Sequence, residues 1–486
     1  MSHPFEKAAR DIAFRMRSKV HKQSYSNAIS ARERRRLSPT GLLAMERLAE
    51  LAELQKVHQR TLDPAIRTSA TQILRTLPLF STDEDPQFIH TQKALRTAAY
   101  FGAVDLPVTY ALINQHTRNA FLLDAVAMSS FFHTLGKLQH PQTAEIVGIL
   151  LPRLRELASE LVPYESINVL RVLKRSQIND VQLVRVITDT VVHTVADTPL
   201  ADICQCATLL LESNHEEASR ILDAAGGRLC NFIETSPDIS AVKGLLVDVS
   251  RIICGTCKGP RRLMNSVARR SIDIMPELSP LDITHILKSF HLSSYRHLRA
   301  VKVLSSSLAT HLETNEVTRE HKALAVTVAT QALAHFYVTD CDEIVLSLVN
   351  AAVGVLEGLN MALTLLGCVR LRCVSPRITT AIDTLCASAH MRRYIQNAHS
   401  LPVTSRLLYA LTQAGRSSST DDAFNISALL DSVLRSPGTL PVDCLGFLSD
   451  AVCTLESDNC CTNEAMRCKL RRVRERLSNN CCSQVL

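Results

Sequence analysis

One pattern constrains this chain more than any other: two adjacent apolar or small residues followed three positions later by a third. It is carried by Ala94-Leu95 with Ala98, Phe131-Phe132 with Leu135, Val169-Leu170 with Leu173, Cys206-Ala207 with Leu210 and Leu245-Leu246 with Val249. It continues at Ile286-Leu287 with Phe290, Ala325-Val326 with Ala329, Leu365-Leu366 with Val369, Leu407-Leu408 with Leu411 and Phe447-Leu448 with Ala451. Positions i, i+1 and i+4 share one side of an α-helix, so each copy marks a helix with a stripe to bury. Successive copies stand about 37 to 42 residues apart, the length of one stacked helix-pair unit. Such a unit cannot bury its stripe alone and gains stability only against its neighbours. The expected fold is all-α: an α-solenoid of about ten antiparallel helix-pair repeats.

Turn chemistry keeps the same phase. Pro163, Pro199, Pro237, Pro280, Pro402 and Pro441 stand ahead of copies of the pattern, and Pro suits a helix's first turn because its missing N–H has no partner there anyway. Thr198, Ser236 and Ser279 lie beside them as N-cap candidates. In the clearest copy the spacing predicts helix A over Pro280–His291, a link Leu292-Ser293-Ser294, and helix B from Tyr295 to Leu312. β-Branched residues fall inside helical spacing, and no hairpin dipeptide is flanked by alternating apolar residues.

The formal net charge is +7, and its location matters more than its size. Residues 1–38 hold Lys7, Arg10, Arg15, Arg17, Lys19, Lys22, Arg32, Arg34, Arg35 and Arg36 against Glu6, Asp11 and Glu33, which leaves the rest balanced at 44 basic and 44 acidic residues. The expected organisation is a basic N-terminal arm over 1–38, helical repeats over 39–477 and a Cys-containing tail over 478–486. Clustered cations on a neutral body fit a polyanion contact or an address signal. Phe5, Ala8, Ile12 and Met16 recur at helical spacing among the arm's arginines, as in an amphipathic mitochondrial presequence, although Glu6 and Asp11 run against that pattern. No apolar core of a secretory signal is found there. The longest apolar run, Ile344 to Leu356, is shorter than the roughly 20 residues of a bilayer span. It reads as a buried helix, and no membrane span is expected.

Without secretory context the sixteen cysteines read as reduced, mostly buried small hydrophobes, Cys204, Cys206, Cys368 and Cys444 among them. Cys254-Gly255-Thr256-Cys257 is a CxxC that falls in a link between helices, with neither a second ligand pair nor a βαβ setting. Cys460, Cys461, Cys468, Cys481 and Cys482 gather near the C-terminus, but adjacent cysteines lack metal-ligand spacing. No metal and no cofactor are expected. His215-Glu216-Glu217 and Asp340-Cys341-Asp342 pair ionisable groups at helix starts, where the helix dipole explains the acids. Phosphate-binding, dinucleotide, zinc-protease and serine-hydrolase motifs are all missing, so no enzyme is expected.

Three basic clusters are the candidate phosphate contacts. They are Arg32, Arg34, Arg35 and Arg36; then Lys258, Arg261, Arg262, Arg269 and Arg270; then Arg467, Lys469, Arg471, Arg472, Arg474 and Arg476. In the second, positions 262, 269 and 270 return to one side of a helix after two turns. Trp is absent and Phe and Tyr are few, which disfavours a base-stacking platform and leaves backbone and shape recognition.

The stretches Ser279-Pro280-Leu281-Asp282-Ile283-Thr284-His285-Ile286-Leu287-Lys288-Ser289-Phe290 and Val403-Thr404-Ser405-Arg406-Leu407-Leu408-Tyr409-Ala410-Leu411 carry a family resemblance. Over residues 85–477 the repeat resembles the heptatricopeptide and octotricopeptide-like repeats of organelle RNA-binding proteins, as in mitochondrial ribosome-associated proteins of apicomplexan-type protists. The resemblance implies a non-catalytic RNA-associated scaffold in the mitochondrion, a ribosome component contacting ribosomal RNA and neighbouring ribosomal or other organelle proteins. A RAP-type domain is lacking, and the unit length varies too much for a one-base-per-repeat code. The alternative is a cytoplasmic adaptor of armadillo or tetratricopeptide type that binds proteins and no nucleic acid, which the neutral body favours.

Overall fold

Each stretch that carries the repeated pattern is helical, and among the described residues there is no strand. The computed structural model describes residues 37–484 apart from 87, 213, 315–316, 397–399, 416–419, 437–439 and 458–463. The chain divides into two units, residues 1–225 and 226–486. The first holds α1 (Pro39–Thr61), α2 (Pro64–Arg75), α3 (Ile89–Tyr100), α4 (Pro107–Arg118), α5 (Ala125–Leu138), α6 (Thr143–Leu157), α7 (Pro163–Arg175), α8 (Val181–His193) and α9 (Leu200–Leu210). The division falls inside α10 (His215–Thr235). The second unit continues with α11 (Ile239–Thr256), α12 (Arg261–Asp273), α13 (Pro280–Leu292), α14 (Leu298–Thr314), α15 (Arg319–His335), α16 (Asp342–Ala352) and α17 (Gly358–Leu371). It closes with α18 (Thr379–Ala387), α19 (Ala389–Gln396), α20 (Leu401–Gln413), α21 (Thr420–Arg435), α22 (Val442–Ser457) and α23 (Glu464–Gln484).

Packing skips one helix at a time. In the first unit α1, α3, α5, α7 and α9 follow one another in one layer, and α2, α4, α6 and α8 in a second. In the second unit α11, α13, α15, α17, α20 and α22 form one layer, with α12, α14, α16 and α18 in the other, where α19, α21 and α23 also follow in turn. All ten copies of the repeated pattern lie on helices of the first-named layers. Every residue of those copies is buried except Phe447, which is half-buried. Each large apolar side chain removed from water in this way is worth about 1.5–3 kcal/mol, so the core is spread evenly along each unit.

Within the layers, polar side chains fix the register that apolar burial leaves loose. Gln92 of α3 donates to the Ser130 carbonyl (3.0 Å) and the Thr134 hydroxyl (2.8 Å) of α5. Asn168 of α7 donates to Ser129 Oγ of α5 (3.3 Å). In the second unit Thr327 and Thr364 meet at 3.1 Å, while Gln331 of α15 donates to the Leu363 carbonyl of α17. At Gly367 the two helices approach closely, since an added Cβ would stand 3.1 Å from the Thr330 carbonyl oxygen and 3.2 Å from Gln331 Nε2. Gly367→Val is therefore expected to destabilise the second unit by about 2–3 kcal/mol through overpacking. Gly244→Val on α11, where a Cβ meets nothing within 4 Å, serves as control, and urea midpoints of the two full-length variants make the comparison.

Several boundaries differ from expectation for local reasons. Ser279 does cap α13, in a capping box with Asp282. By contrast the Thr198 hydroxyl turns back to the Thr194 carbonyl (2.8 Å), leaving Pro199 at the N-cap of α9, and Asp238 rather than Ser236 caps α11. Helix α14 starts at Leu298 instead of Tyr295. Ser294 of the expected link takes a left-handed conformation (φ 53°), Tyr295 N bonds back to the Phe290 carbonyl (3.0 Å), and His297 Nδ1 accepts from Ala300 N (3.1 Å), so Tyr295 and His297, both expected to be helical, instead help to close α13 and to cap α14. The run from Ile344 is helical only to Ala352, within α16. Helix α23 continues through the expected tail boundary to Gln484. Among the described residues no helix is long and apolar enough to cross a membrane.

Candidate nucleic-acid interface

The second basic cluster is built on α12. Leu263, Met264, Val267 and Ala268 are buried, which turns Arg261, Arg262 and Arg269 outward, with Lys258 exposed just ahead. Arg262 and Arg269 return to the same side after two turns. Arg270 does not join them: it is half-buried, and its Nη2 donates to the Ser236 carbonyl (3.0 Å), holding the chain between α10 and α11. That corrects the expectation that 270 shares the outward side, because the Ser236 carbonyl in the link between α10 and α11 captures the guanidinium.

Sequence reasoning missed Tyr295. It lies in the link before α14, which packs on α12, and Arg261 and Arg269 act on its phenol. Burial raises that phenol's pKa, and the two arginines pull it back down. The ring thus lies within electrostatic range of two of the cluster's arginines, 6.0 Å from the buried Phe290 ring. No sequence signal marked it, since a lone Tyr in a link has no periodicity to betray it.

The third cluster divides similarly on α23. Leu470, Val473 and Leu477 are buried as the helix packs on α21 and α22. Lys469 Nζ bonds Asp431 Oδ2 (2.6 Å) and Ser427 Oγ (2.8 Å), and Arg476 donates to the carbonyls of Val433 and Ser436 on α21 and its C-terminal edge. These two cations staple α23 in place. Arg474 meets Glu456 of α22 at 3.2 Å on the surface, a contact worth under about 1 kcal/mol. Arg467, Arg471 and Arg472 remain exposed. Arg32, Arg34, Arg35 and Arg36 lie outside the described residues.

The CxxC is not in a link as expected. Cys254 occupies the last turn of α11, and Cys257 is its C-cap in a left-handed conformation (φ 53°). Burial pushes the Cys254 thiol up to about 12, and its Sγ points to the His285 carbonyl (3.7 Å). A thiol so hard to ionise is a poor nucleophile. Cys204, Cys206, Cys368 and Cys444 are buried, and Cys468 is exposed. Cys460 and Cys461 fall outside the described residues, as do the side chains of Cys481 and Cys482. Among the described residues no three His, Cys, Asp or Glu side chains gather into a metal-sized group.

No protein-family model matches the chain, and no curated protein matches it either.

Proposed function

We propose that the chain is a non-catalytic, RNA-associated scaffold built as an α-solenoid of about ten antiparallel helix-pair repeats. In this reading it serves the mitochondrion as a ribosome component, contacting ribosomal RNA and neighbouring proteins. The observation that carries it is the division of labour among cations: Lys469, Arg476 and Arg270 are consumed in packing, whereas Arg261, Arg262, Arg269, Arg471 and Arg472 are held outward on rigid helices. Fixed outward cations favour a phosphate backbone, because counterion release rewards every phosphate they neutralise. The alternate packing of helices at a step of about 40 residues supports the repeat reading. The arginine-bearing amphipathic spacing of the arm supports the mitochondrial one.

Binding to single-stranded and to folded RNA, followed by fluorescence anisotropy between about 50 and 200 mM salt, tests the proposal on the full chain and on a chain lacking residues 1–38. Salt-sensitive binding that weakens when the arm is removed is the expected result. Failure of both proteins to bind either RNA would favour the adaptor reading, in which the neutral body recognises protein.

A further inference from the structure

Charge that looks balanced along the sequence is unevenly shared among the helices of the first unit, and three consecutive helices of one layer are basic. Helices α3, α5 and α7 contain Lys93, Arg96, Lys137, Arg171, Lys174 and Arg175, and their one carboxylate is Glu165. Glu165 is 2% exposed, and it accepts from Val162 N (3.0 Å) in the capping box of α7. The other carboxylates of this unit lie in links, in the other layer, for example Glu145 and Glu156 of α6 and Asp189 of α8, and on the flanking helices of the same layer, Glu46, Glu50 and Glu53 of α1 and Asp202 of α9.

These three helices are adjacent in one layer, so their cations converge. Arg96 of α3 donates to Ser130 Oγ of α5, one turn before His133. His133 Nδ1 meets Asn168 Oδ1 of α7 at 3.0 Å, and the Asn168 amide is oriented by its bond to Ser129 Oγ. Arg175 donates to the Gly136 carbonyl, beside Lys137. Lys137 is exposed, while Arg96, His133 and Arg171 are half-buried, so the row is open to solvent along a line across the three helices. Burial and then Lys137 hold the His133 imidazole below its ordinary value, with Arg96 and Arg171 adding to the effect and Asn168 opposing it. Cations from three different helices therefore share one electrostatic neighbourhood.

We propose that the row formed by Arg96, His133, Lys137 and Arg171 across α3, α5 and α7 is a binding surface for the phosphodiester backbone of RNA. The inference rests on the RNA-associated reading above and assigns it a site that no continuous basic cluster marks. An acidic protein segment is the poorer fit, because a docked helix needs an apolar stripe to bury. The large apolar side chains exposed on these helices are few and stand at helix ends, Ile89 and Tyr100 at opposite ends of α3 and Tyr164 in the first turn of α7, so none of the three helices carries a continuous apolar stripe. Arg offers forked donors and Lys a mobile point charge, a combination suited to phosphate oxygens. Asp202 of α9, which lies within electrostatic range of Arg171, bounds the row on that side.

The test uses the full-length protein with a labelled polyuridylate strand, reading affinity by anisotropy across about 50–200 mM salt. Lys137→Gln with Arg171→Gln is expected to weaken binding about tenfold or more and to lower the salt slope by roughly 1.4. The charge-preserving pair Lys137→Arg with Arg171→Lys should bind as the unaltered protein does, and coincident thermal melts establish that both pairs fold. Unchanged affinity and slope in the Gln pair, with the unaltered protein binding, would place RNA elsewhere and overturn this inference while leaving the broader reading intact. No binding by the unaltered protein overturns both. Competition by polyglutamate as effective as that by unlabelled polyuridylate would assign the row to an acidic protein partner instead.

Discussion

Truncating Phe290 to Ala is expected to remove about 3–5 kcal/mol of stability from the second unit. Phe290 is fully buried as the third residue of its pattern copy on α13, the helix that packs against α11, α14 and α15. Its ring lies 6.0 Å from that of Tyr295, so the residue also seats the link that leads to α14. Removing the ring forfeits its transfer free energy and leaves a cavity that three neighbouring helices cannot fill without moving. Urea unfolding of the full-length variant measures the loss as a shift of the midpoint. Phe290→Leu, which keeps most of the volume, should lose under about 1.5 kcal/mol. A loss below about 1 kcal/mol in the Ala variant would mean that the α11, α13 and α15 layer collapses around the gap, and that the repeated pattern does not mark a close-packed seam.

Acidification should destabilise the first unit by a defined amount through one residue. His116 of α4 is fully buried, stacked on Phe131 at 4.5 Å and flanked by Phe88 at 5.4 Å. Its Nδ1 donates to the Leu112 carbonyl (2.8 Å), and among the described residues its buried Nε2 finds no partner. Burial pushes the imidazole down to about 4 from an ordinary 6.5, against smaller opposing effects of the Leu112 carbonyl and Asp85. Because the folded value is the lower one, the unfolded chain takes up the proton first. The stability held by neutral His116 is therefore complete above pH 6.5, is lost as pH falls through the window down to about 4, and declines no further below it. A displacement of that size corresponds to about 3 kcal/mol. His116→Phe, which keeps an aromatic ring between Phe88 and Phe131, should flatten the stability profile between those pH values by about that amount. Equal slopes for the two proteins over this range would show that His116 is not held neutral by its surroundings.

The helical class and the phase of burial were legible because their signal is local. Residues at i, i+1 and i+4 define a helix face whatever lies opposite, and the ten copies accordingly mark helices whose pattern residues are buried, with Phe447 alone half-exposed. Ser279 shows the same locality, since its capping box needs only Asp282 three residues on. Helix ends were less legible. At Ser294 a left-handed backbone closes α13 although a serine there carries no glycine-like sign of it, so residues 295–297, which the spacing places in a helix, only precede it.

The use of each cation was not legible, because it depends on partners far away in the chain. Arg270 and Arg476 look like their neighbours in sequence, yet Ser236, 34 residues distant, and Ser436, 40 residues distant, decide that both are staples. The row on α3, α5 and α7 was invisible for the same reason: no short window contains it, and the balanced composition concealed it. What the amino-acid order determined alone is the set of amphipathic helices and the stripe each must bury, since both follow from the 3.6-residue turn. Only the tertiary structure decided which charges are spent on carbonyls and carboxylates of neighbouring helices and which are left facing water, because electrostatic and hydrogen-bond partners are set by spatial proximity and not by sequence spacing.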